Sequence, residues 1–306
     1  MIRAQLLGKL ALIVAPLLLG ATRPAMPHYD HIFVIVDENK RFGQIVGGAA
    51  APNINAWAKT FGLATHYDAV AHPSEPNYIA IVGGDTFGVH DDGAHSIDAP
   101  NLSTQLDAAH LTWKGYYQGI PAPGSLVPYA GLYAAKHSGF AQFANVRNSL
   151  QRAEHLVGFD AFARDAASNV LPNFALIIPD LCDDMHGALG FGIPGNCEVF
   201  RRSQLIARGD GAVKNIVDVL MRSAAWKGGE NVAIVLTFDE DDGGGSEGGG
   251  GRVPTIVITN HGPRHFIDTT PYTHYSLLRT IEENFGLARL GHAADAATAS
   301  MAPLFR

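Results

Sequence analysis

Two pairs of oxygen-rich side chains stand directly after apolar segments of this chain. Glu38 and Asn39 follow residues 31–36, and Asp239 and Glu240 follow residues 232–238. Continuous apolar runs rich in β-branched residues predict buried parallel strands, and the carboxyl ends of such strands meet at one edge of a sheet. We therefore expect the four side chains to converge on a divalent metal ion, with Ca or Mg favoured by the oxygen ligands and Zn as an alternative. The competing interpretation is that these residues only end strands or cap helices.

Ser74 lies between the two pairs, in segment 71–84, at a predicted turn into a helix that begins near Pro76. Proline suits the first turn of a helix, and the free N–H groups and positive dipole end at that point favour a phosphate or a phosphoryl oxyanion. We expect Asn77, three residues further on, to donate to the same group. The alternative is that Ser74 serves only as an N-cap, a role that serine often fills.

The chain contains 14 histidines, most of which we expect at the surface or in supporting positions. Four stand in contexts that suggest chemistry: His72, His137, His186 and His274. Phosphoryl transfer requires donors for the equatorial oxygens and a proton for the leaving group, and histidine can serve both needs. A structural histidine is the alternative for each of the four.

Residues 244–248 match the G-x-S-x-G pattern of a nucleophile elbow, with Asp268 and His274 downstream in the order of a hydrolase triad. The elbow requires a strand, one sharp turn and a helix. Here the glycines continue to Gly251 and Pro254 opens another strand-like segment, so we do not favour a serine triad. The acidic, glycine-rich stretch 239–251 predicts a mobile loop beside a strand end.

Strand-like and helix-like segments alternate along the chain, which indicates an α/β fold with a mostly parallel sheet. The predicted strands are 31–36, 63–70, 174–178, 232–238 and 255–259. The predicted helices are 53–59, 77–82, 103–109, 156–167, 201–223 and 274–285, with Gly286 as the stop of the last one.

Length, charge and the N-terminal segment narrow the class of protein. The 306 residues fit a signal peptide at 1–25, in which basic residues precede a short apolar run, followed by a single domain at 26–306. The run is too short for a stable membrane span, so we expect a secreted or periplasmic protein. The net charge of −7 and the lack of a basic run argue against a nucleic-acid partner. Export also favours a disulfide between Cys182 and Cys197, with two buried thiols as the alternative.

Several motifs taken together resemble a known family. They are IVDENKRF at 35–42, HPSEPNY at 72–78, KH at 136–137, DLCDDMHG at 180–187, TFDEDDGG at 237–244, VPTIVIT at 253–259 and YTHYSLLRTIEENFGL at 272–287. Their order and spacing are similar to the bacterial phosphoesterase family of secreted acid phosphatases and phosphatidylcholine-type phospholipases C, within the alkaline-phosphatase-like superfamily. The resemblance runs from residue 30 to 287 and implies a doubly wound sheet with helices on both faces.

The resemblance also implies roles for individual residues. Ser74 matches the nucleophile, which is also a metal ligand, and Asn77 matches a phosphate-binding asparagine. The other implied metal ligands are Glu38, Asn39, Asp239 and Glu240, while His137 and His186 resemble phosphate-contacting or proton-donating histidines. The implied reaction is hydrolysis of a small phosphomonoester through a phosphoserine, with one metal rather than two. A protonated histidine at the phosphate predicts an acidic pH optimum.

Three alternatives stay open. On composition alone, a second metal would be held by Asp184, His186 and His261. A phosphodiesterase of phospholipase C type would use the same nucleophile on phospholipid head groups. That pattern is less expected here, because many relatives carry an aromatic residue and a second histidine soon after the acidic pair, where this chain has glycines, Ser246 and Glu247. A non-catalytic metal- or phosphate-binding periplasmic protein would keep the fold but would have no need of Ser74.

Overall fold

The structure is a computed structural model that describes residues 26–243 and 249–306. The predicted signal peptide at 1–25 and the G-x-S-x-G pattern at 244–248 lie outside the described residues. Among the helices that the structure describes, none is both long and apolar enough to cross a membrane.

The described residues form one eight-stranded sheet and two small two-stranded sheets. The strands are His31–Asp37 (β1), Gly62–Ala64 (β2), Tyr67–Asp68 (β3), Trp113–Tyr117 (β4), Tyr129–Ala130 (β5), Tyr133–Ala134 (β6), Leu156–Val157 (β7), Phe174–Ile178 (β8), Val232–Phe238 (β9), Thr255–Thr259 (β10), Phe266–Asp268 (β11) and Tyr272–Thr273 (β12). The large sheet has the order β11-β2-β10-β9-β1-β8-β4-β7, while β12 pairs with β3 and β5 with β6. The chain therefore starts near the middle of the large sheet and builds outward on both sides of β1, which is the doubly wound pattern.

Within the large sheet, β10 runs antiparallel to β9 and β2, and the other pairings are parallel. The prediction of a mostly parallel sheet is confirmed. The expectation that residues 255–259 form one more parallel strand is wrong, because β10 pairs antiparallel with β9. The glycine-rich sequence of the link between them fits this direction, since a parallel return usually runs through a helix. The end of β10 consequently lies at the opposite edge, where Oδ1 of Asn260 accepts a hydrogen bond of 2.9 Å from the backbone N–H of Val232.

Two further predicted elements differ from the structure. The predicted strand 63–70 is divided between β2 in the large sheet and β3 in a small one. The predicted helix 156–167 begins as the strand β7, and its helical part is only Phe159–Ala167. The sequence also missed β4, because Lys114 and Gly115 interrupt the apolar pattern of that strand.

The described α-helices are Phe42–Ile45 (α1), Pro52–Thr60 (α2), Glu75–Gly83 (α3), Leu102–Ala108 (α4), Ala144–Arg147 (α5), Arg152–His155 (α6), Phe159–Ala167 (α7), Arg202–Arg222 (α8), Ala224–Lys227 (α9) and His274–Phe285 (α10). Short 3₁₀ helices occur at Ala135–His137, Gly139–Gln142, Gly195–Cys197, Gly291–Ala294 and Ala302–Phe305. The helices pack in two groups, with α3 against α10 and α4, and α8 against α2, α7 and α9. This division agrees with the predicted layer of helices on each face of the sheet.

The last helix has the predicted bounds, and its ends explain why. Thr273 and Ser276 form a capping box at the start, and Gly286 adopts a left-handed conformation, with φ of 66°, at the end. A left-handed C-terminal residue is a position that glycine fills at little cost.

The three central strands β9, β1 and β8 position the loops that carry most of the candidate site residues. Every residue of these strands is buried, and they run parallel, so their carboxyl ends lie side by side. The loops that follow them carry residues 38–40, 179–187 and 239–243, and the turn before α3 carries Ser74. A rigid apolar platform thus presents polar loops at a single edge, where open α/β sheets bind their ligands.

Candidate active site

Ser74 occupies the N-cap position of α3, but its side chain does not cap the helix. Its Oγ lies instead 3.1 Å from Oε2 of Glu38 and 3.0 Å from Oε1 of Glu240, within hydrogen-bonding distance of both. A hydroxyl has a single proton, so it can donate to only one of the two carboxylates at a time. The interpretation of Ser74 as a simple N-cap is therefore wrong, and the structure leaves its oxygen facing the carboxylates from β1 and β9.

Glu38 contacts several other residues of the site. It is fully buried, and its Oε1 accepts a hydrogen bond of 2.6 Å from the hydroxyl of Tyr78, while its Oε2 accepts one of 2.9 Å from Nδ2 of Asn39. The backbone N–H of Asn39 donates to Oδ1 of Asp239 at 3.0 Å. The loops after β1 and β9 are joined by this contact, which brings the two predicted pairs together.

Asp239 and Glu240 are held from the opposite side by two histidines. His274 is fully buried, and its Nε2 donates to the backbone carbonyl of Asp239 at 2.7 Å while its Nδ1 lies 3.0 Å from the hydroxyl of Tyr67. His72 is partly exposed and pairs through Nδ1 with Oε2 of Glu240. His274 is thus a positioning residue, and His72 is a histidine that solvent can reach and that shares Glu240 with Ser74.

His137 is buried between two carboxylates rather than open to the cleft. Its Nε2 lies 3.2 Å from Oε1 of Glu38 and its Nδ1 lies 3.3 Å from Oδ2 of Asp184. His186 follows on the loop after β8, where its Nδ1 donates to the carbonyl of Gly187 at 2.7 Å. That bond fixes the proton of neutral His186 on Nδ1 and leaves Nε2 as a lone-pair donor, which suits a metal ligand better than a proton donor.

Burial lowers the pKa of both histidines, and that of His137 well below its usual range. Desolvation disfavours a charged imidazolium, and the nearby Lys136 ammonium acts in the same direction on both rings. The structure therefore favours neutral imidazoles here, contrary to the protonated histidine expected from the sequence.

Asn77 has a different role from the predicted phosphate donor. Its Oδ1 accepts from the backbone N–H groups of Val70 and Ala71 at 3.0 and 3.1 Å, and its Nδ2 donates to the carbonyls of Ala71 and Pro73 at 2.9 and 3.3 Å. Because the amide is committed to the backbone of the preceding loop, Asn77 holds that loop in place and thereby positions Ser74.

Lys40 is a site residue that the sequence analysis did not single out. Its ammonium is buried and donates to the carbonyls of Met185 at 2.7 Å and Asn39 at 3.1 Å. It therefore ties the loop after β1 to the loop after β8. The available signal was its place directly after Glu38 and Asn39, but a lysine after a strand is ordinarily a surface residue.

The site concentrates more negative charge than its protein neighbours neutralise. Burial raises the pKa of Glu38 to about 7 and that of Glu240 to about 9, and mutual repulsion adds to the effect. The pKa of Asp239 and of Asp184 is raised well above its usual range for the same two reasons. Within the described part of the chain, Oδ2 of Asp239 has no hydrogen-bond partner, and the contacts that Oδ2 of Asp184 and Nε2 of His137 make with their ionisable neighbours lack the geometry of a hydrogen bond.

Buried ligand atoms without partners fit a divalent cation, which would supply the missing positive charge. Atoms of Glu38, His137 and His186 that can act as ligands all lie within 4.8 Å of one another. This group overlaps the predicted set only at Glu38, and it shows that the edge offers imidazole as well as oxygen ligands. The predicted second-metal set is wrong in one member, because His261 follows β10 and lies at the opposite edge of the sheet.

An open cleft of ≈ 490 Å³ lies over these residues. Its lining includes Asn39, Lys40, His72, His186, Arg202 and Glu240. Ser74 is buried behind this lining, where it follows Pro73 in the chain and contacts Glu240, and both of these residues line the cleft. Cations on the wall of a polar cleft are suited to an anionic ester. The predicted disulfide between Cys182 and Cys197 is present and closes the loop that carries His186.

Comparison with known proteins gives this geometry its context. Residues 48–288 match the Phosphoesterase family. The chain is 32% identical over 280 residues to a phosphatidylinositol-3-phosphatase of Mycobacterium tuberculosis, a match that covers 90% of this chain and 84% of that protein. It is 31% identical over 258 residues to an acid phosphatase of Aspergillus fumigatus, where the match covers 79% of this chain but only 53% of the fungal protein.

The fold has solved counterparts at much lower sequence identity. A protein in the alkaline phosphatase superfamily from Vibrio parahaemolyticus superposes with a TM-score of 0.60 at 12% identity, covering 89% of this chain and 72% of that chain. This likeness confirms the predicted architecture. The family match and the two sequence relatives argue against the non-catalytic alternative. The chain belongs to the Phosphoesterase family, on an alkaline-phosphatase-like fold, and is a hydrolase of phosphoric ester bonds.

Proposed function

We propose that this protein is an exported, metal-dependent acid phosphatase that hydrolyses phosphomonoesters through a phosphoserine on Ser74. The observation that carries the proposal is the position of Ser74 Oγ, which caps no helix and lies within 3.1 Å of carboxylate oxygens of both Glu38 and Glu240. A structural serine at a helix start has no need of two buried acidic neighbours. A nucleophile that must lose its proton is served by them.

The residues proposed to hold the metal are Glu38, Asn39, Ser74, Asp239 and Glu240. When bound, a divalent cation supplies Lewis-acid stabilisation of the phosphoryl charge and polarises the serine hydroxyl. The imidazole of His186 and the carboxylate of Asp184 lie at the border of this set and are available as further ligands.

The reaction proceeds in two balanced steps. Oγ of Ser74 attacks the phosphorus and its proton passes to the carboxylate of Glu240, while the bond from phosphorus to the ester oxygen breaks and the alcohol leaves after gaining a proton. A water molecule then attacks the phosphorus and gives a proton to the group that protonated the alcohol, while the bond from phosphorus to Oγ of Ser74 breaks. Oγ recovers its proton from Glu240, and inorganic phosphate leaves. Lys40, on the cleft wall, contributes positive charge near the phosphoryl oxygens.

We assign the proton for the leaving alcohol to His72. His137 is buried and does not line the cleft, and neutral His186 carries its proton toward Gly187, so neither presents an N–H to the cleft. His72 lines the cleft and contacts Glu240 through Nδ1, with its Nε2 3.4 Å from Oδ1 of Asp241. In its protonated form it has an N–H to donate within reach of the ester oxygen.

A lipid-borne monoester is the substrate class that the relatives favour beside small phosphomonoesters. The mycobacterial relative is named a phosphatidylinositol-3-phosphatase, and the match spans 84% of its length. The relatives from Aspergillus and Penicillium are named acid phosphatases, although this chain spans only about half of their length. Both names describe monoester hydrolysis, so they favour a monoesterase over the phospholipase C alternative.

The test is hydrolysis of p-nitrophenyl phosphate, phosphatidylinositol 3-phosphate and p-nitrophenylphosphorylcholine, each with EDTA and after metal is added back. We expect turnover of the two monoesters that is lost with EDTA and restored by Mg or Ca, with a maximum below pH 7. Ser74→Ala should abolish turnover of both monoesters, and Ser149→Ala serves as its matched control, because the Ser149 hydroxyl bonds only within an exposed turn. Preference for the choline diester, or a rate that still rises above pH 8, would contradict the proposal.

A further inference from the structure

Three large apolar side chains protrude from a single segment beside the cleft. The described residues expose nine large hydrophobic side chains, and three of these lie between positions 189 and 200. Leu189 is 64% exposed, Phe200 is 82% exposed and Phe191 is fully exposed. Soluble proteins commonly expose such side chains singly, so three on one loop call for an explanation. We refer to residues 188–201 as the apolar loop.

The base of the apolar loop is fastened to the rest of the protein. The disulfide between Cys182 and Cys197 closes it, and the backbone N–H of Ala188 donates to the carbonyl of Cys197 at 3.0 Å. Arg208, on α8, bonds Oδ1 of Asn196 at 3.2 Å and Oδ1 of Asp183 at 2.7 Å. The exposed tips are thus presented by a tethered scaffold, which lowers the entropy lost when they bind a surface.

The apolar surface is continuous with the wall of the cleft. Val199 and Leu205 line the cleft together with Arg202, and Phe200 stands between them in the chain. An amphiphilic ester bound with its phosphate in the cleft therefore meets apolar side chains on the same side of the opening.

Positive charge accompanies the apolar tips. Arg201 and Arg202 directly follow Phe200, and their side chains are 53% and 66% exposed. Arg201 bonds Glu198 at 2.7 Å, and Arg202 lies 3.6 Å from Asp242 at the cleft. Aromatic and aliphatic side chains beside arginines are the combination with which interfacial segments bind anionic bilayers, since guanidinium groups pair with lipid phosphates while apolar tips enter the acyl boundary.

We propose that the apolar loop docks this enzyme on an anionic phospholipid bilayer, so that a phosphorylated head group enters the cleft while its acyl chains stay in the membrane. This inference rests on the proposed phosphatase function of the cleft. Leu189, Phe191 and Phe200 enter the interface, and Arg201 and Arg202 contact the phosphates of neighbouring lipids. The partner is therefore a lipid surface rather than a second protein.

The test is flotation of the full chain with vesicles of phosphatidylcholine mixed with phosphatidylserine. We expect the wild type to float, and the combined Phe191→Ser and Phe200→Ser variant to partition about tenfold more weakly or worse, because each buried phenylalanine contributes strongly to transfer from water. Leu150→Ser is the matched control, since Leu150 is 89% exposed outside the apolar loop. Hydrolysis of p-nitrophenyl phosphate should be unchanged in all three proteins, because neither phenylalanine lines the cleft.

Results that would overturn membrane docking differ from results that would overturn the proposed function. A wild type that stays with the soluble fraction, a double variant that floats as well as the wild type, or an equal loss in Leu150→Ser would overturn membrane docking. Failure of the proposed function would show differently, as vesicle binding by the wild type without turnover of p-nitrophenyl phosphate or of the lipid monoester. The single variant Phe191→Ser, whose side chain packs against nothing, separates docking from folding if the double variant aggregates.

Discussion

Oγ of Ser74 lies 3.0 Å from Oε1 of Glu240, although 166 positions separate the two residues in the chain. The contact exists because the turn before α3 and the end of β9 meet at one edge of the sheet. Glu240 is held in turn by His72 on its other oxygen. The proposed nucleophile, its proposed proton acceptor and an exposed imidazole are therefore consecutive members of one chain of contacts.

His72→Asn should impair substrates with poor leaving groups more than substrates with good ones. Without the imidazole, an alkyl alcohol loses the proton donor that we propose for it, whereas p-nitrophenolate leaves unaided. We expect turnover of glycerol phosphate to fall by about 100-fold, within the usual range for general acid catalysis, and turnover of p-nitrophenyl phosphate to fall much less. His292→Asn is the control, because His292 pairs with Asp295 at the surface in a similar way. Equal losses for both substrates would remove His72 from the role of acid.

Glu38→Gln should weaken metal binding by about 100-fold or more, since ligands and their supporting contacts each carry a large share of affinity at such sites. The substitution keeps the size of the side chain, so the hydroxyl of Tyr78 retains an acceptor. Titration calorimetry with Mg and with Ca measures the change directly. Glu230→Gln, at an exposed glutamate paired with His31, should bind metal as the wild type does. Unchanged affinity in Glu38→Gln would show that the metal, if bound, lies elsewhere.

Lys40→Met should lower both stability and activity. The carbonyls of Met185 and Asn39 lose their donor, and a buried carbonyl without a partner costs about 1–3 kcal/mol in unfolding free energy. We expect kcat to fall because the loops that carry Asn39 and His186 lose their link. Chemical denaturation and steady-state kinetics measure the two effects, with Lys59→Met at the exposed surface as control. A variant as stable as the wild type would show that the link is dispensable.

The buried carboxyl group of Glu282 should make the unfolding free energy depend on pH, independently of the active site. Burial raises the pKa of Glu282 from 4.5 to about 8, although Arg289 and Arg279 oppose the shift. Between these two values the folded protein holds a proton that the unfolded chain has lost. The contribution of Glu282 to stability is therefore fully present below pH 4.5 and is lost as the pH rises toward 8. One such group changes the unfolding free energy by up to about 1.4 kcal/mol per pH unit.

Glu282→Gln should remove that slope, because glutamine keeps an acceptor for the backbone N–H of Leu290 and carries no charge. The variant should gain stability over the wild type progressively from pH 5 to 8, measured by urea denaturation at each pH. Glu283→Gln, at the neighbouring and partly exposed glutamate that pairs with Arg279 and Arg289, should not show this gain. If the unfolding free energies of Glu282→Gln and the wild type changed in parallel with pH, the raised pKa of Glu282 would be contradicted.

The sequence predicted the parts of the site that depend on strand ends. Apolar runs before Glu38 and Asp239 are strong local signals, and parallel strands place their ends together by geometry alone. The last helix was predicted with its bounds because its stop signal, Gly286, is local as well. Ser74 lies close to Glu38 and Glu240 because the turn before α3 is at the same edge of the sheet as the ends of β1 and β9.

What the sequence did not predict depends on long-range packing. The sequence offered His261 as a metal ligand beside Asp184 and His186, but the antiparallel direction of β10 puts it at the opposite edge of the sheet. An apolar run carries no information on the direction of a strand. The roles of Asn77 and His137 differ from those expected, since only the folded chain shows what an amide or a ring contacts. Lys40 was missed because its buried position between the loops after β1 and β8 is not visible in the neighbouring residues.

The most direct test of the account is to find the covalent intermediate. Wild-type enzyme turning over p-nitrophenyl phosphate with Mg present is quenched in acid and digested, and the peptide that contains Ser74 is sequenced by mass spectrometry. The account predicts one phosphate on Ser74, absent when EDTA is added before substrate and absent in a Ser74→Ala variant that no longer turns over. Full turnover by Ser74→Ala, or a phosphate carried by a different residue, would contradict it.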